Sequence, residues 1–258
     1  MSKTMCPRSQ PATATVQRPE ASPDPRRLSG NCLGEPGTIP YRLFAVELKA
    51  RQISKVRTLI KKAGFPAHKA LEDFDWDPVS LAGETSISDL TGLGFINRKE
   101  NVLAVGAVGT GKTHLATALG IKACSQRKSV RFYRCLDLVN ILLEHHRQGR
   151  LGATMAILGK CDLLIIDELG FVPLHRDGAG LLFNVEAQAY EHQSVIVTSN
   201  LEFGQWNSVL GDNRLTAAMI DRLVHRAHIL AFDGESYRLK KVLSGLTQGQ
   251  NGREVLQS

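Results

Sequence analysis

The stretch that decides the fold is residues 101–120, which read NVLAVGAVGTGKTHLATALG. Within it, Gly106–Thr113 matches the phosphate-loop pattern G-x-x-x-x-G-K-[ST] at every fixed position. The apolar run Val102–Val105 is typical of a strand, and Lys112–Lys122 predicts a helix because its apolar residues recur at helical spacing. A strand, a glycine-rich turn and a helix N-terminus aim backbone N–H groups and the positive end of the helix dipole at one point. The stretch therefore predicts a site for a nucleoside triphosphate.

The phosphate-loop pattern assigns roles to individual residues. Gly106, Gly109 and Gly111 let the backbone approach a phosphate where a Cβ atom would collide with it. Lys112 is expected to contact the β- and γ-phosphates, and the Thr113 hydroxyl is expected to ligate Mg²⁺. The residues predicted to bind the nucleotide are Gly106, Ala107, Val108, Gly109, Thr110, Gly111, Lys112, Thr113 and His114.

A second segment completes the predicted site. Leu163–Ile166 is a wholly apolar strand that leads into Asp167 and Glu168, and open α/β sheets bind their ligands at the carboxyl ends of strands. Asp167 is expected to hold Mg²⁺, and Glu168 to orient and polarise the water that attacks the γ-phosphate. An Asp-Glu pair favours hydrolysis over phosphoryl transfer to a small acceptor, and no N-K-x-D segment supports guanine recognition. ATP is therefore the predicted nucleotide.

Another strand end carries a polar side chain. Residues 195–200 read VIVTSN, so Asn200 follows an apolar strand. Its amide can hydrogen-bond the γ-phosphate or the attacking water and so sense the state of the nucleotide. The alternative is that Asn200 simply forms a turn at the strand end.

Three arginines, Arg214, Arg222 and Arg226, lie on the predicted helix Asn213–Arg226. A guanidinium delivered to the γ-phosphate from a neighbouring subunit can accelerate hydrolysis by about 10³-fold or more. Arg222 and Arg226 are four residues apart and share one face of the helix. This helix therefore holds the candidates for an arginine that acts in trans.

Strand-like and helix-like segments alternate around these motifs. The predicted strands are residues 102–105, 129–133, 163–166, 194–198 and 229–232. Regular alternation of this kind predicts a parallel sheet covered by helices on both faces. We therefore expect an α/β fold with a five-stranded parallel sheet and a short helical segment at its N-terminal end.

The net charge of +7 over 258 residues is concentrated in one short segment. Residues 41–70 hold eight Lys or Arg residues against one Glu, whereas residues 1–40 carry +2 and residues 71–258 carry −2. Apolar residues recur there at spacings of three and four, which predicts an amphipathic helix with a basic face. The pattern favours contact with a nucleic acid; the alternative is a solvated helix packed on its neighbour. The lysines predicted to contact DNA are Lys49, Lys55, Lys61 and Lys62.

Composition predicts the domain limits. Residues 1–40 are rich in Pro, Ser and Thr and predict a disordered tail, followed by the basic helical segment 41–70, an ATPase domain over 71–245 and a flexible C-terminus over 246–258. The five cysteines form no C-x-x-C pair, which suits reduced thiols. No apolar run approaches the about 18 residues that a membrane span needs, and the N-terminus has no apolar signal core. We expect a cytoplasmic protein.

Six segments taken together resemble the IstB-like transposition helper ATPases, a family similar to the DnaC helicase loader within the initiator-type AAA+ ATPases. The segments are Leu71–Asp75 (LEDFD), Gly106–Ala116 (GAVGTGKTHLA), Leu164–Gly170 (LIIDELG), Thr198–Asn200 (TSN), Asp221–His225 (DRLVH) and Ser236–Lys240 (SYRLK). The resemblance implies an AAA+ core with sheet order 5-1-4-3-2. It also implies ATP-driven assembly of a homo-oligomer on double-stranded DNA, and recruitment or stimulation of a cognate transposase at the target site.

The same resemblance implies roles for single residues. It implies that Gly106–Thr113 is the phosphate loop and that Asp167 and Glu168 bind Mg²⁺ and activate water. It also implies that Asn200 is the sensor and that Arg222 is the trans arginine. The expected function is therefore an ATP-hydrolysing helper of a transposable element. Two alternatives stay open at this point: a replication accessory that loads a hexameric helicase, and a relic that binds ATP but has lost assembly on DNA.

Overall fold

The computed structural model describes residues 38–83, 85–234 and 236–237, without the side chains of residues 38–46 and 49. The chain divides into two compact units, residues 1–48 and residues 49–258. Residues 1–37 of the predicted disordered tail 1–40, the Lys49 side chain and the predicted flexible C-terminus lie outside the described residues, whereas residues 38–40 belong to a helix. Among the described helices, none is both long enough and apolar enough to span a membrane.

A six-stranded sheet forms the centre of the second unit. Its strands are β1 Val79–Leu81, β2 Asn101–Gly106, β3 Val130–Arg134, β4 Leu163–Leu169, β5 Ser194–Ser199 and β6 Ala227–Phe232. Their order across the sheet is β1-β6-β2-β5-β4-β3. Strands β2 to β6 pair in parallel, which confirms the predicted α/β class. Without β1, they stand in the order 5-1-4-3-2 that the family resemblance implied.

The predicted count of five strands was wrong, because β1 adds a sixth strand to the sheet. Val79 pairs with Phe232 and Leu81 with Leu230, and the pairing is antiparallel. A strand of three residues is too short for a period of two to stand out in the sequence. The sheet is therefore mixed, with one antiparallel strand beside five parallel ones.

Helices cover both faces of the sheet. One face carries α2 Ile87–Gly92, α3 Gly94–Arg98 and α4 Lys112–Ser125, and the other carries α5 Cys135–Arg147, α6 Leu151–Leu158, α7 Arg176–Ala189, α8 Asn207–Leu210 and α9 Asn213–His225. The apolar residues of β4 serve both layers, because successive side chains of a strand point to opposite faces. Leu163 and Ile165 pack with α4, whereas Leu164 and Ile166 pack with α5 and α7.

Helix α1, Thr38–Ala63, carries the predicted basic face. Among the described side chains of α1, the apolar side is covered near the C-terminal end, where Ile60 packs partly against the core and Ala63 is buried. About two turns before Ile60, Ile53 is 55% exposed. After α1, the Phe65 ring meets the Phe132 ring of β3, with 6.1 Å between the centroids.

Candidate functional site

The carboxyl ends of β2, β4 and β5 meet at one edge of the sheet, because the three strands are parallel neighbours. Gly106 ends β2, Asp167 and Glu168 lie near the end of β4, and Asn200 follows β5. The structure therefore brings together the phosphate loop, the two carboxylates and the amide that the sequence predicted to share a site. They line one cavity of about 910 Å³.

The phosphate loop depends on glycines at two close approaches. Gly106 has a φ of 141°, and a Cβ atom there would collide with the carbonyl oxygen of Phe232 on β6. Gly109 has a φ of 84°, and a Cβ atom there would collide with the Ser236 hydroxyl. Helix α4 begins directly after Gly111, which has no side chain to cap it. The first N–H groups of α4 are therefore left to bind an anion.

Lys112 lies inside the loop that it belongs to. Its Nζ donates hydrogen bonds to the carbonyl oxygens of Gly106 at 2.7 Å and Ala107 at 2.6 Å. Burial lowers the pKa of the Lys112 ammonium to about 8, and the Asp167 carboxylate opposes that effect. The loop therefore holds a partly desolvated cation at the place where the β- and γ-phosphates of a nucleotide are expected.

Asp167 is the centre of a buried hydrogen-bond relay. It is 1% exposed and accepts hydrogen bonds from the hydroxyls of Thr113 at 2.9 Å and Thr198 at 2.6 Å. The Thr198 hydroxyl in turn accepts the backbone N–H of Glu168 at 2.9 Å. The relay locks β4 to α4 and to β5. It also sets a carboxylate beside a threonine hydroxyl, the pair of hard oxygen ligands that suits Mg²⁺.

Glu168 faces the cavity in an unusual backbone conformation. Its φ is 62°, and its side chain is 45% exposed. Oε2 of Glu168 lies 3.8 Å from Nε of Arg134, the last residue of β3. Strand register explains the approach, because Arg134 is directly opposite Asp167 across the β3–β4 pair.

Asn200 lines the cavity, and its amide is not fully engaged. Its Oδ1 atom is buried without a hydrogen-bond partner among the described residues. A buried amide oxygen without a partner is costly, so a group bound in the cavity that donates a hydrogen bond would satisfy it. The position suits the predicted contact with an attacking water.

Aromatic side chains lie beside the phosphate loop. The Phe74 ring lies 4.9 Å from the Trp76 ring and 5.6 Å from the His114 ring, centroid to centroid. Tyr237 also lines the cavity, and its backbone N–H donates to the Gly109 carbonyl oxygen at 3.0 Å. Phe74 and Trp76 pack against the core. The phosphate loop is thus fastened to the segment that follows β6.

Arg222 does not line this cavity. It lies on α9, with Cζ 4.8 Å from the centroid of the Phe183 ring and Nη1 3.7 Å from Oε2 of Glu186, both on α7. Its side chain is 36% exposed. Arg214 and Arg226 are exposed and also lie outside the lining of the cavity. Within one chain, none of the three arginines reaches the phosphate loop.

Three of the predicted DNA-contacting lysines, Lys55, Lys61 and Lys62, are exposed on α1. Lys55 and Lys62 are seven residues apart and share one face of the helix, whereas Lys61 points about 120° away from Lys55. None of them lines the nucleotide cavity. The structure therefore keeps the basic face separate from the candidate ATP site.

A second group of titratable side chains lies away from the cavity. Asp89, Glu100 and His228 bring their ligand atoms within 4.8 Å of one another. Nη2 of Arg98 lies 2.5 Å from Asp89 and 2.8 Å from Glu100, and it holds the pKa of both carboxyls below their usual values. A guanidinium already neutralises the carboxylates, so the group acts as a clasp between α2, α3 and β6.

Comparison with known proteins decides the family. The model of the IstB-like ATP binding proteins matches residues 41–244. The chain belongs to this family. Among its relatives, an ATP-binding protein of insertion sequence IS5376 from Geobacillus stearothermophilus is 40% identical over 201 residues, which are 78% of this chain and 80% of the relative. One of insertion sequence IS21 from Pseudomonas aeruginosa is 37% identical over 195 residues, or 76% of this chain and 74% of the relative.

Solved structures agree with the fold. Replication initiator DnaA bound to AMPPCP and single-stranded DNA matches with a TM-score of 0.53 and 20% identity, over 72% of the IstB-like chain and 56% of the initiator. DnaI matches with a TM-score of 0.50 and 17% identity, over 70% of the chain and 92% of DnaI. The likeness shows that the α/β fold is shared.

Sequence reasoning missed three residues around the site of this IstB-like protein. Thr198 had no predicted role of its own, although its hydroxyl joins Asp167 to Glu168. Arg134 was not singled out; it follows the predicted strand 129–133. Glu186 was not singled out, although it is the charged residue in contact with Arg222.

Proposed function

We propose that this IstB-like protein binds and hydrolyses ATP as the helper of an insertion sequence. In this proposal it assembles as a homo-oligomer on double-stranded DNA and recruits or stimulates the partner transposase at the target site. The observation that carries the proposal is the relay from Thr113 through Asp167 and Thr198 to Glu168. It supports a magnesium–triphosphate site with a carboxylate directed at the bound γ-phosphate.

ATP binding is proposed for the phosphate loop and the first turn of α4. The N–H groups that follow Gly106 and precede α4 would bind the phosphates, and the α4 dipole would add positive potential. Lys112 would exchange its carbonyl partners for the β- and γ-phosphate oxygens. The aromatic side chains that line the cavity, Phe74 and Tyr237, are of a type that suits the adenine base.

Mg²⁺ would be held by the Thr113 hydroxyl and, directly or through water, by the Asp167 carboxylate. When bound, the ion supplies charge neutralisation for the phosphate oxygens. Thr198 keeps one oxygen of Asp167 occupied, so the carboxylate stays fixed in orientation.

Hydrolysis is proposed to depend on Glu168 and Asn200. The Glu168 carboxylate would orient the attacking water and accept one of its protons, and Oδ1 of Asn200 would accept a hydrogen bond from the other O–H group of that water. Thr198 fixes the backbone of Glu168 for this role through the N–H that it accepts. Arg134 pairs with Glu168 before the water is in place.

The homo-oligomer is proposed because Arg222 lies outside the cavity of its own chain yet remains partly exposed. In the proposal it contacts the γ-phosphate bound by a neighbouring subunit and stabilises the charge of the transition state. The exposed Lys55, Lys61 and Lys62, together with Lys49, would contact DNA phosphates. The names of the relatives, which are ATP-binding proteins of insertion sequences, support the link to a transposase.

One experiment tests the proposal as a whole. ATP turnover and particle mass are measured for the full chain with and without duplex DNA, and then with a candidate partner transposase. We expect duplex DNA with ATP to increase both quantities, and the loaded DNA to stimulate the transposase. If the protein stays a monomer and duplex DNA does not change its ATP turnover, the alternative of a relic that has lost assembly on DNA is supported instead. If the particle mass increases only when a hexameric helicase is added, the alternative of a helicase loader is supported.

A further inference from the structure

Glu186 is a carboxylate in the apolar contact between α7 and α9. Its side chain is 3% exposed, and its neighbours Val185, Leu182 and Ala189 on α7 belong to the core. Its Oε2 atom is buried and accepts no hydrogen bond from the described residues. Burying a carboxylate without such bonds is costly unless a charge compensates for it. The carboxylate therefore depends on the cation that faces it.

That cation is Arg222. The 3.7 Å between Nη1 and Oε2 is within ion-pair range but too long for a good hydrogen bond. The guanidinium also lies over the Phe183 ring, with Cζ 4.8 Å from the ring centroid. The carboxylate attracts the guanidinium by charge, and the aromatic ring adds a cation–π contact. α7 thus restrains an arginine that α9 alone would leave free to rotate.

The restraint leaves part of Arg222 open. Its side chain is 36% exposed, and the group does not line the nucleotide cavity of its own chain. A guanidinium has five N–H donors in a fixed plane and suits an oxyanion with two of them. An oxyanion that reaches this face must come from another molecule.

Other charged groups do not replace Arg222 at this contact. On α9, His225 is exposed and hydrogen-bonds the Tyr190 hydroxyl at 3.1 Å. Helix α5 approaches the start of α7 with apolar side chains, Val139 and Leu143. Burial raises the pKa of the Glu186 carboxyl to about 7, and Arg222 opposes that effect. The charge of this one carboxylate thus changes near neutral pH.

We propose that Glu186 is a positioning residue for Arg222: together with Phe183 it fixes the guanidinium in the orientation that meets the γ-phosphate of a neighbouring subunit. The inference rests on the trans role proposed for Arg222. The competing explanation reverses the dependence, so that Arg222 serves only as the counter-ion that keeps a buried Glu186 tolerable. The two explanations predict different ATP turnover for the variant in which both residues are replaced.

The test compares Arg222→Ala, Glu186→Gln and the double variant in the full chain. Arg222→Ala leaves Glu186 buried and unpaired, so its Tm at about pH 8 should fall, and adding Glu186→Gln should restore it. ATP turnover on duplex DNA should be lost in Arg222→Ala, fall by about three- to tenfold in Glu186→Gln, and stay lost in the double variant. ATP affinity of the isolated subunit should not change. Asp221→Asn, an exposed charge removal on α9, is the matched control.

Each result bears on one claim. Wild-type turnover in the double variant would make Arg222 a counter-ion only and would overturn the inference, as would wild-type turnover in Glu186→Gln. Wild-type turnover in Arg222→Ala would instead show that Arg222 is not the trans arginine, while the proposal that the protein hydrolyses ATP would still hold. An NMR measurement that does not depend on ATP turnover tests the pairing of Arg222 with Glu186. The side-chain Nε–Hε signal of Arg222 should be separate from those of exposed arginines in the wild type, and it should shift to their position in Glu186→Gln. An unshifted signal would overturn the inference.

Discussion

Nε of Arg134 lies 3.8 Å from Oε2 of Glu168, so the carboxylate proposed to activate water is already paired with a cation from the neighbouring strand. Both side chains are partly exposed, and pairs of this kind are worth about 0–1 kcal/mol. Arg134→Ala should therefore raise DNA-independent ATP turnover by at most about fivefold, because Glu168 no longer has to leave the pair. Arg147→Ala, which removes an exposed arginine on α5, should leave the rate unchanged. A slower Arg134→Ala enzyme would mean that Arg134 assists the reaction.

Glu168→Gln tests the water-activating role. The amide keeps the shape of the side chain but cannot accept a proton, so ATP binding should persist while turnover falls by about 10²-fold or more. Assemblies on DNA should also last longer, since hydrolysis is expected to release them. Nucleotide binding, turnover and the lifetime of the DNA-bound particle are measured on the same preparation. Normal turnover would remove Glu168 from the mechanism.

Mixing two inactive variants tests whether Arg222 acts in trans. Glu168→Gln subunits keep Arg222, and Arg222→Ala subunits keep Glu168. When the two variants are mixed on duplex DNA, some subunit interfaces should combine an intact Glu168 with an intact Arg222, and ATP turnover should partly return. Loss of ATP binding by Arg222→Ala as an isolated subunit would show action in cis. Failure to recover in folded, co-assembled mixtures would pass the role to Arg214 or Arg226.

The lowered pKa of Lys112 predicts how ATP affinity depends on pH. The free protein loses the ammonium charge as pH rises through about 8, whereas a bound triphosphate stabilises that charge. The ATP affinity should therefore fall by about fivefold between pH 8 and pH 9, and binding should take up a proton there. Calorimetry in two buffers of different ionisation enthalpy measures the uptake. Lys112→Arg, which stays charged, should show a flatter profile and no uptake.

The basic face of α1 predicts a salt dependence. If Lys49, Lys55, Lys61 and Lys62 each contact a phosphate, log affinity for duplex DNA should fall with log salt by about 0.9 per contact. Replacing all four by Ala should flatten the slope and leave ATP affinity unchanged. Replacing four cations outside α1, Lys122, Lys128, Lys160 and Arg147, is the charge-matched comparison. An unchanged slope in the α1 variant would return the helix to a solvated, packing role.

The sequence predicted those elements of the fold whose signal lies within a few neighbouring residues. The phosphate loop, the apolar strand before Asp167 and the polar end of β5 each carry their signal within a few residues, and parallel topology then brings their ends together. Sequence reasoning could not find β1, because three residues form that strand only by pairing with β6.

The missing parts of the site depend on register and distance. Arg134 meets Glu168 because β3 and β4 pair in one register, and a shift by one residue would point Arg134 to the other face. Thr198 became important only through the distance from its hydroxyl to Asp167. Glu186 and Arg222 are 36 positions apart on two helices, and nothing in their spacing announces the contact.

The short strand β1 has a consequence for how copies of this protein can meet. A bare strand edge is a template on which another chain adds by backbone pairing, the route to aggregates. β1 occupies that template on β6, and at the opposite side of the sheet the carbonyl of Lys62 accepts a hydrogen bond from the Arg131 side chain of β3. In the proposed homo-oligomer, subunits would therefore join through side-chain contacts, which ATP binding can form and ATP hydrolysis can break. A chain shortened to begin after Leu81 would expose the edge of β6 and should aggregate.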